Sequence, residues 1–125
     1  MRAEFRGRSP VIEDYSFGRI KVLGKVYHRD IILGNDGVIV ENWWRREGHL
    51  LSLEDIQGTL EQYKPNVLVV GAGSAGALKV HRSVLDYCAK NGIRVIVEKT
   101  GKAVETFNEL VSKGERVVGA FHLTC

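Results

Sequence analysis

Hydrophobic and polar positions change period near the middle of the chain. Up to about residue 43 the apolar residues sit in short alternating runs. Residues 12–17 and 19–23 are two such runs, divided at Gly18, and Gly24 breaks the chain before a third run over residues 26–33. Ile20 and Val22 alternate cleanly; Tyr27, Ile31 and Leu33 do so with Arg29 interrupting them. A half-buried sheet explains this pattern, because successive strand side chains point to opposite faces. Gly34-Asn35-Asp36-Gly37 supplies residues that tolerate positive φ, so it predicts a hairpin turn into a strand over residues 38–43.

Beyond Ser52 the period becomes helical. Asp55 follows Ser52 by three residues, a relative of the capping box. Leu53, Ile56, Leu60 and Tyr63 then form one helical stripe, which Pro65 ends. Residues 67–70 are wholly apolar, the composition of a strand buried on both faces. A glycine loop follows, then a helix that turns Val84, Leu85 and Cys88 to the core and ends at Asn91-Gly92. The polar cluster His81-Arg82-Ser83 places its start near Arg82 rather than at the loop. Residues 93–97 form a second buried strand. Thr100 caps a further helix with the stripe Ala103, Phe107, Leu110, Val111, Gly114 ends it, and residues 117–123 form the last strand. Strands that alternate with helices predict an α/β fold with a mixed, partly parallel sheet and right-handed crossovers.

Composition narrows the class. The 125 residues are 44% hydrophobic and 26% charged with two prolines, which suits one domain over residues 1–125 and excludes disorder, collagen and a disulfide scaffold. No apolar run reaches about 18 residues, so no membrane-spanning helix is expected. The charged start of the chain has no apolar core of a signal peptide. The formal net charge is +3, with Arg2, Arg6, Arg8 and the Arg45-Arg46 pair carrying much of the excess. Acids interrupt the bases elsewhere, as in Glu13-Asp14 and Glu54-Asp55, so nucleic-acid binding is not expected. Cys88 and Cys125 lie far apart without a CxxC partner, which fits a reduced, cytoplasmic protein.

The most suggestive motif is Gly71-Ala72-Gly73-Ser74-Ala75-Gly76, a letter-for-letter match to G-x-G-x-x-G after a strand, with Glu98 22 residues beyond Gly76. In a dinucleotide fold the glycines let backbone amides approach a pyrophosphate, and an acid at that distance holds the ribose. Here the sequence supplies only one β-α-β-α-β unit where such a fold uses two, and the following helix starts too late to aim at the loop. The preferred reading is a tight turn. The alternative is an anionic small ligand, or an enzyme substrate, held by Gly71, Ala72, Gly73 and Ser74 with donors from Arg45 and His49 on a facing loop.

Trp43-Trp44-Arg45-Arg46 ends a strand, so one tryptophan can face the core while the other faces out; the alternative is that both pack under the following loop. An exposed tryptophan beside arginines is adhesive, and Trp44, Arg45 and Arg46 therefore form a candidate interaction surface. His122 and Cys125 are three residues apart, so in an extended tail they point to opposite faces and do not make a nucleophile pair. No His, Cys, Asp or Glu group has metal-ligand spacing along the sequence, and no cofactor is expected.

Taken together, Trp44-Arg45 with Gly48-His49, the Val69–Gly73 segment, Ala77-Leu78-Lys79-Val80 and the terminal Gly119–Cys125 segment resemble a widespread family of small domains of unknown function. Its members include the animal adipogenesis-associated Mth domain-containing protein and the mitochondrial complex I assembly factor three. The likeness runs from about Ile12 to Cys125. It implies a three-layer α/β fold on a mixed central sheet with an extra β-hairpin layer. It brings no enzymatic activity and no catalytic residues. Only Gly71 and Gly73 transfer as a motif; Gly76 falls outside it, which removes further support from NAD or FAD binding. No mitochondrial presequence is visible, so the resemblance is read with a cytoplasmic location. The expectation is a non-enzymatic interaction or assembly-type protein whose partner is another protein or a second copy of the chain.

Overall fold

The computed structural model describes residues 10–125, so Arg2, Arg6 and Arg8 lie outside the described residues. Strands β1 (Ile12–Ser16), β2 (Arg19–Val22) and β3 (Lys25–Tyr27) form an antiparallel three-stranded sheet in that order. The central sheet uses β4 (Ile31–Gly34), β5 (Gly37–Val40), β7 (Val67–Ala72), β9 (Arg94–Glu98) and β10 (Val117–His122), in the order β9-β7-β10-β4-β5. Its β9, β7 and β10 strands are parallel, while β4 runs antiparallel to β10 and forms a hairpin with β5. Two short strands, β6 (Leu50–Leu51) and β8 (Lys79–Val80), pair parallel outside it. The helices are α1 (Gln57–Tyr63), α2 (Arg82–Lys90) and α3 (Thr100–Ser112).

Alternation along the central strands builds two cores. Ile32, Leu68, Val70, Val118 and Ala120 point to one face, where Ile56, Leu60, Val84 and Cys88 cover them. Ile31, Leu33, Val67, Val69, Val117 and Phe121 point to the other, under Ala103 and Phe107 of α3 and Ile12, Ile20 and Val22 of the outer sheet. The crossover through α2 runs from β7 to β9, and the one through α3 runs back from β9 past β7 to β10. Connections of one hand in opposite directions put their helices on opposite faces. The three layers are therefore α1 and α2, the central sheet, and α3 with the outer sheet.

Several elements differ from the sequence expectation. Residues 26–33 are two strands in different sheets; the chain leaves one sheet and enters the next over exposed His28 and Arg29 and half-buried Asp30. The strand predicted over residues 38–43 stops at Val40, and Asn42 turns left-handed (φ +49°). The stripe from Leu53 to Tyr63 is a 3₁₀ turn, Leu53–Asp55, followed by α1, with buried Ile56 at the junction. Asp55 accepts a hydrogen bond from the Ser52 N–H (2.9 Å), in line with the expected capping box. Leu85 is exposed rather than in the core. Helix α2 does begin at Arg82, with His81 Nδ1 accepting from the Ser83 N–H (3.0 Å). Thr100 is the first residue of α3 instead of its cap, because its hydroxyl is used across the sheet.

Close approach of α3 depends on glycine. A Cβ on Gly119 would fall 2.8 Å from Phe107 Cδ1 and collide with Phe121, whose ring meets Phe107 edge-on at 5.8 Å between centroids. Gly101, near the start of α3, has open space where its Cβ would be. We expect Gly119→Ala to destabilise by about 1–3 kcal/mol through overpacking, and Gly101→Ala to stabilise by about 0.5 kcal/mol through helix propensity. Urea midpoints at unchanged slope measure both.

Candidate functional site

The carboxyl ends of β7 and β10 lie side by side at the centre of the sheet, with Phe121 opposite Gly71 and His122 opposite Ala72. In open α/β sheets this end is where ligands gather. Here it is crowded by the chain itself. The Gly73 N–H donates to Thr100 Oγ1 (2.8 Å), whose hydroxyl donates to the His122 carbonyl (2.6 Å). The Ser74 N–H donates to the Thr124 carbonyl (2.6 Å), the Gly76 N–H to the Gly73 carbonyl (3.1 Å) and the Ala77 N–H to the main-chain oxygen of Cys125 (3.0 Å). These amides are thus engaged within the chain. Gly73 is left-handed (φ +97°), and a Cβ there would collide with the Cys125 backbone and lie 2.9 Å from His122 Cδ2. A Cβ on Gly71 would meet Phe121 at 2.7 Å. The paired glycines make room for the 121–125 segment and α3, where a dinucleotide fold would make room for pyrophosphate. Glu98, the sequence candidate for a ribose, accepts from the Thr106 hydroxyl (2.6 Å).

A polar network lies against this turn, and its hub is Asp30, which sequence reasoning missed. Asp30 Oδ2 accepts from Arg45 Nη2 (2.8 Å) and from His122 Nδ1 (2.8 Å), and Oδ1 accepts from the Leu123 N–H (2.8 Å). The Asp30 carbonyl accepts from the Trp43 N–H (2.7 Å). Arg45 also donates through Nε and Nη2 to the Gly48 carbonyl (3.0 and 2.7 Å), closing the 45–48 loop, and its guanidinium stacks over the Trp43 ring at 4.6 Å. Burial alone would raise the Asp30 pKa. The hydrogen bonds from His122, Leu123 and Arg45 outweigh it and hold the carboxyl below its ordinary value of 3.8. An ionised Asp30 only accepts, so His122 donates to it from Nδ1, which leaves Nε2 as the ring nitrogen not engaged by Asp30. The 3.3 Å between Arg45 Nη2 and His122 Nδ1 is then a contact between two donors to one oxygen.

Two expectations are corrected by this arrangement. Arg45 is 8% exposed, so it is a buried internal donor and not part of an exposed basic patch. His122 and Cys125 do meet in one place, because the strand ends at His122 and the chain bends over Gly73 beyond it. One ring nitrogen each of His49 and His122 and the Cys125 sulfur lie within 4.8 Å of one another. His49 arrives there because the β6–β8 ladder starts at its carbonyl, which accepts from the Lys79 N–H (2.9 Å). Trp43 is buried, Trp44 is 77% exposed, and Arg46 lies at the surface in an ion pair with Glu54 (2.8 Å). Cys88 is buried in the core with its thiol pushed up to about 11, whereas Cys125 is exposed.

Because the folded Asp30 pKa is depressed, its contribution to stability is complete above the ordinary carboxylate value and is lost as pH falls through the folded value. We expect Asp30→Asn to cost about 3 kcal/mol near neutral pH, since Arg45 is left buried without its counter-charge. The gap between variant and parent in urea unfolding free energy should be flat down to about pH 5 and shrink in stronger acid.

The comparisons with known proteins follow this geometry. The chain is similar to the structure called MT938, at 28% identity over 94% of this chain and 100% of that one, with a TM-score of 0.74. It is also similar to the conserved hypothetical protein PH1505 from Pyrococcus horikoshii OT3, at 28% identity over 91% of this chain and 98% of that one, with a TM-score of 0.72. A Bordetella pertussis protein described as a Mth938-like domain shares the fold at 21% identity over 91% of this chain and 85% of that one, with a TM-score of 0.64. The model of the family "Protein of unknown function (DUF498/DUF598)" matches residues 12–122, which span the outer sheet, both crossovers and the His122 end of β10, and the chain belongs to that family.

Proposed function

We propose that this chain is an interaction protein that docks another protein through the surface around Trp44. The observation that carries this reading is the way Trp44 is held. Its neighbours Trp43 and Arg45 are both buried, at 6% and 8% exposure, while Trp44 itself is 77% exposed. The Trp43 indole N–H donates to the Asp55 carbonyl (3.1 Å) and Arg45 is fastened to Asp30 and Gly48. Trp44 is therefore presented on a fixed backbone, and a tryptophan fixed in advance loses little conformational freedom when it is covered. Arg46 supplies a polar rim, with its charge met by Glu54.

In its finer form the reading is an assembly-type role, which the resemblance to the adipogenesis-associated protein and the complex I assembly factor suggests, carried out in the cytoplasm. Two unpaired cysteines support the compartment, and no helix among the described residues is long and apolar enough to cross a membrane. The alternative reading, an anionic small molecule at Gly71, Ala72, Gly73 and Ser74 with Arg45 and His49, draws less support. The Gly73 and Ser74 amides and the Arg45 Nε and Nη2 groups already have partners inside the chain, and Arg45 Nη1, which has none among the described residues, is buried.

A photo-crosslinking amino acid at position 44, in cells that make the protein, tests the proposal. We expect one discrete adduct, with a partner protein or a second copy, that is absent when the crosslinker sits at exposed Lys113. With that partner purified, Trp44→Ala should weaken binding by about 2 kcal/mol, roughly thirtyfold. The same diffuse adducts at both positions would overturn the reading.

A further inference from the structure

We propose that His49, His122 and Cys125 form a binding site for a borderline-soft divalent metal ion of the zinc type. This inference stands apart from the docking surface at Trp44 and does not rest on it. The three residues come from separate parts of the chain: His49 from the segment entering β6, His122 from the end of β10, and Cys125 from beyond it. One ring nitrogen of each histidine and the Cys125 sulfur all lie within 4.8 Å of one another. Cys125 Sγ is 3.6 Å from His49 Nε2. Around a tetrahedral zinc ion, with nitrogen at about 2.05 Å and sulfur at about 2.3 Å, two such ligands stand about 3.5 Å apart. The imidazole rings meet nearly at right angles, 75°, with centroids 5.4 Å apart, so they are not stacked face to face and their edges can converge on one point.

The surroundings of His122 provide an independent argument. Its Nδ1 is committed to Asp30 Oδ2 at 2.8 Å, which leaves Nε2 as the nitrogen it can offer. Metal-bound histidines characteristically donate their other N–H to a carboxylate, which fixes the ring and makes it more basic. Thr124 Oγ1 stands 3.5 Å from Nε2, too far to hold that lone pair firmly. Asp30 in turn is neutralised by Arg45, also at 2.8 Å, so the second layer adds no net charge and the thiolate is the anionic ligand. His122 is buried, while His49 and Cys125 are exposed, so the ion would have a protein floor and a fourth position open to water. A thiolate with two imidazoles and no carboxylate ligand selects zinc-like ions over magnesium or calcium.

The test uses the intact reduced chain stripped of metal. Titration with Co²⁺ should give a thiolate-to-cobalt charge-transfer band in the near ultraviolet and intense tetrahedral bands in the visible, saturating at one equivalent and removed by Zn²⁺. Mg²⁺ should leave them unchanged. Cys125→Ser should abolish the charge-transfer band, and both Cys125→Ser and His49→Ala should weaken Zn²⁺ binding by about tenfold or more in competition with a chromophoric chelator. Both replaced side chains are exposed, and an unchanged circular dichroism spectrum confirms that each variant folds. The proposal is overturned if Zn²⁺ binds the parent no more tightly than about 1 mM. It is equally overturned if either variant binds as tightly as the parent, because the ion would then sit elsewhere.

Discussion

The carboxylate of Asp30 is the constraint on which the carboxyl end of the central sheet depends. It lies where the chain passes from the outer sheet into the central one, and it ties together two segments far apart in sequence: Arg45 of the tryptophan loop, and the end of β10 through the His122 ring and the Leu123 N–H. A half-buried carboxylate of this kind is costly unless its lone pairs are met by good donors, and here both oxygens are met. The arrangement is all or nothing. Removing one partner strands the others in a low-dielectric interior.

The consequences of that hub run in two directions. Toward the surface, Arg45 closes its own loop on Gly48 and lies over Trp43, which leaves the intervening Trp44 no route into the core. Toward the centre, the bond from His122 Nδ1 to Asp30 leaves Nε2 as the uncommitted nitrogen of a ring that lies beside His49 and Cys125. The turn at Gly73 makes this possible sterically, because only a residue without a side chain lets the 122–125 segment cross over it. The same position in a dinucleotide-binding protein would admit a phosphate. Here the space is filled from within, so a shared glycine pattern serves a different end.

Much of the scaffold could be read from the sequence. Alternation marked the outer sheet, the helical stripes marked the elements around Leu60, Val84 and Phe107, and uniformly apolar runs marked the buried β7 and β10. These signals are local, since the period of a strand or helix is written into a few neighbouring residues. The pattern failed where neighbours in sequence belong to different sheets. Tyr27 and Ile31 keep an alternating look although one pairs within the outer sheet and the other within the central one. Leu50–Leu51 and Lys79–Val80 were too short to signal, and only their mutual pairing makes them strands.

The sequence by itself determined the order of the main helices, the buried strands β7 and β10, and membership in a family recognisable by its paired glycines and terminal His-Leu-Thr-Cys; the run over residues 93–97, also expected to be buried, is the edge strand β9 with Val97 45% exposed, because no strand covers its outer side. Only the tertiary structure decided that Arg45 is buried, that Asp30 is a hub, and that His49, His122 and Cys125 face one point. The reason is physical. Periodicity reports which way a side chain points from its own backbone, whereas a polar cluster forms where separate segments converge, and that convergence is set by sheet order and by crossovers with no local signature.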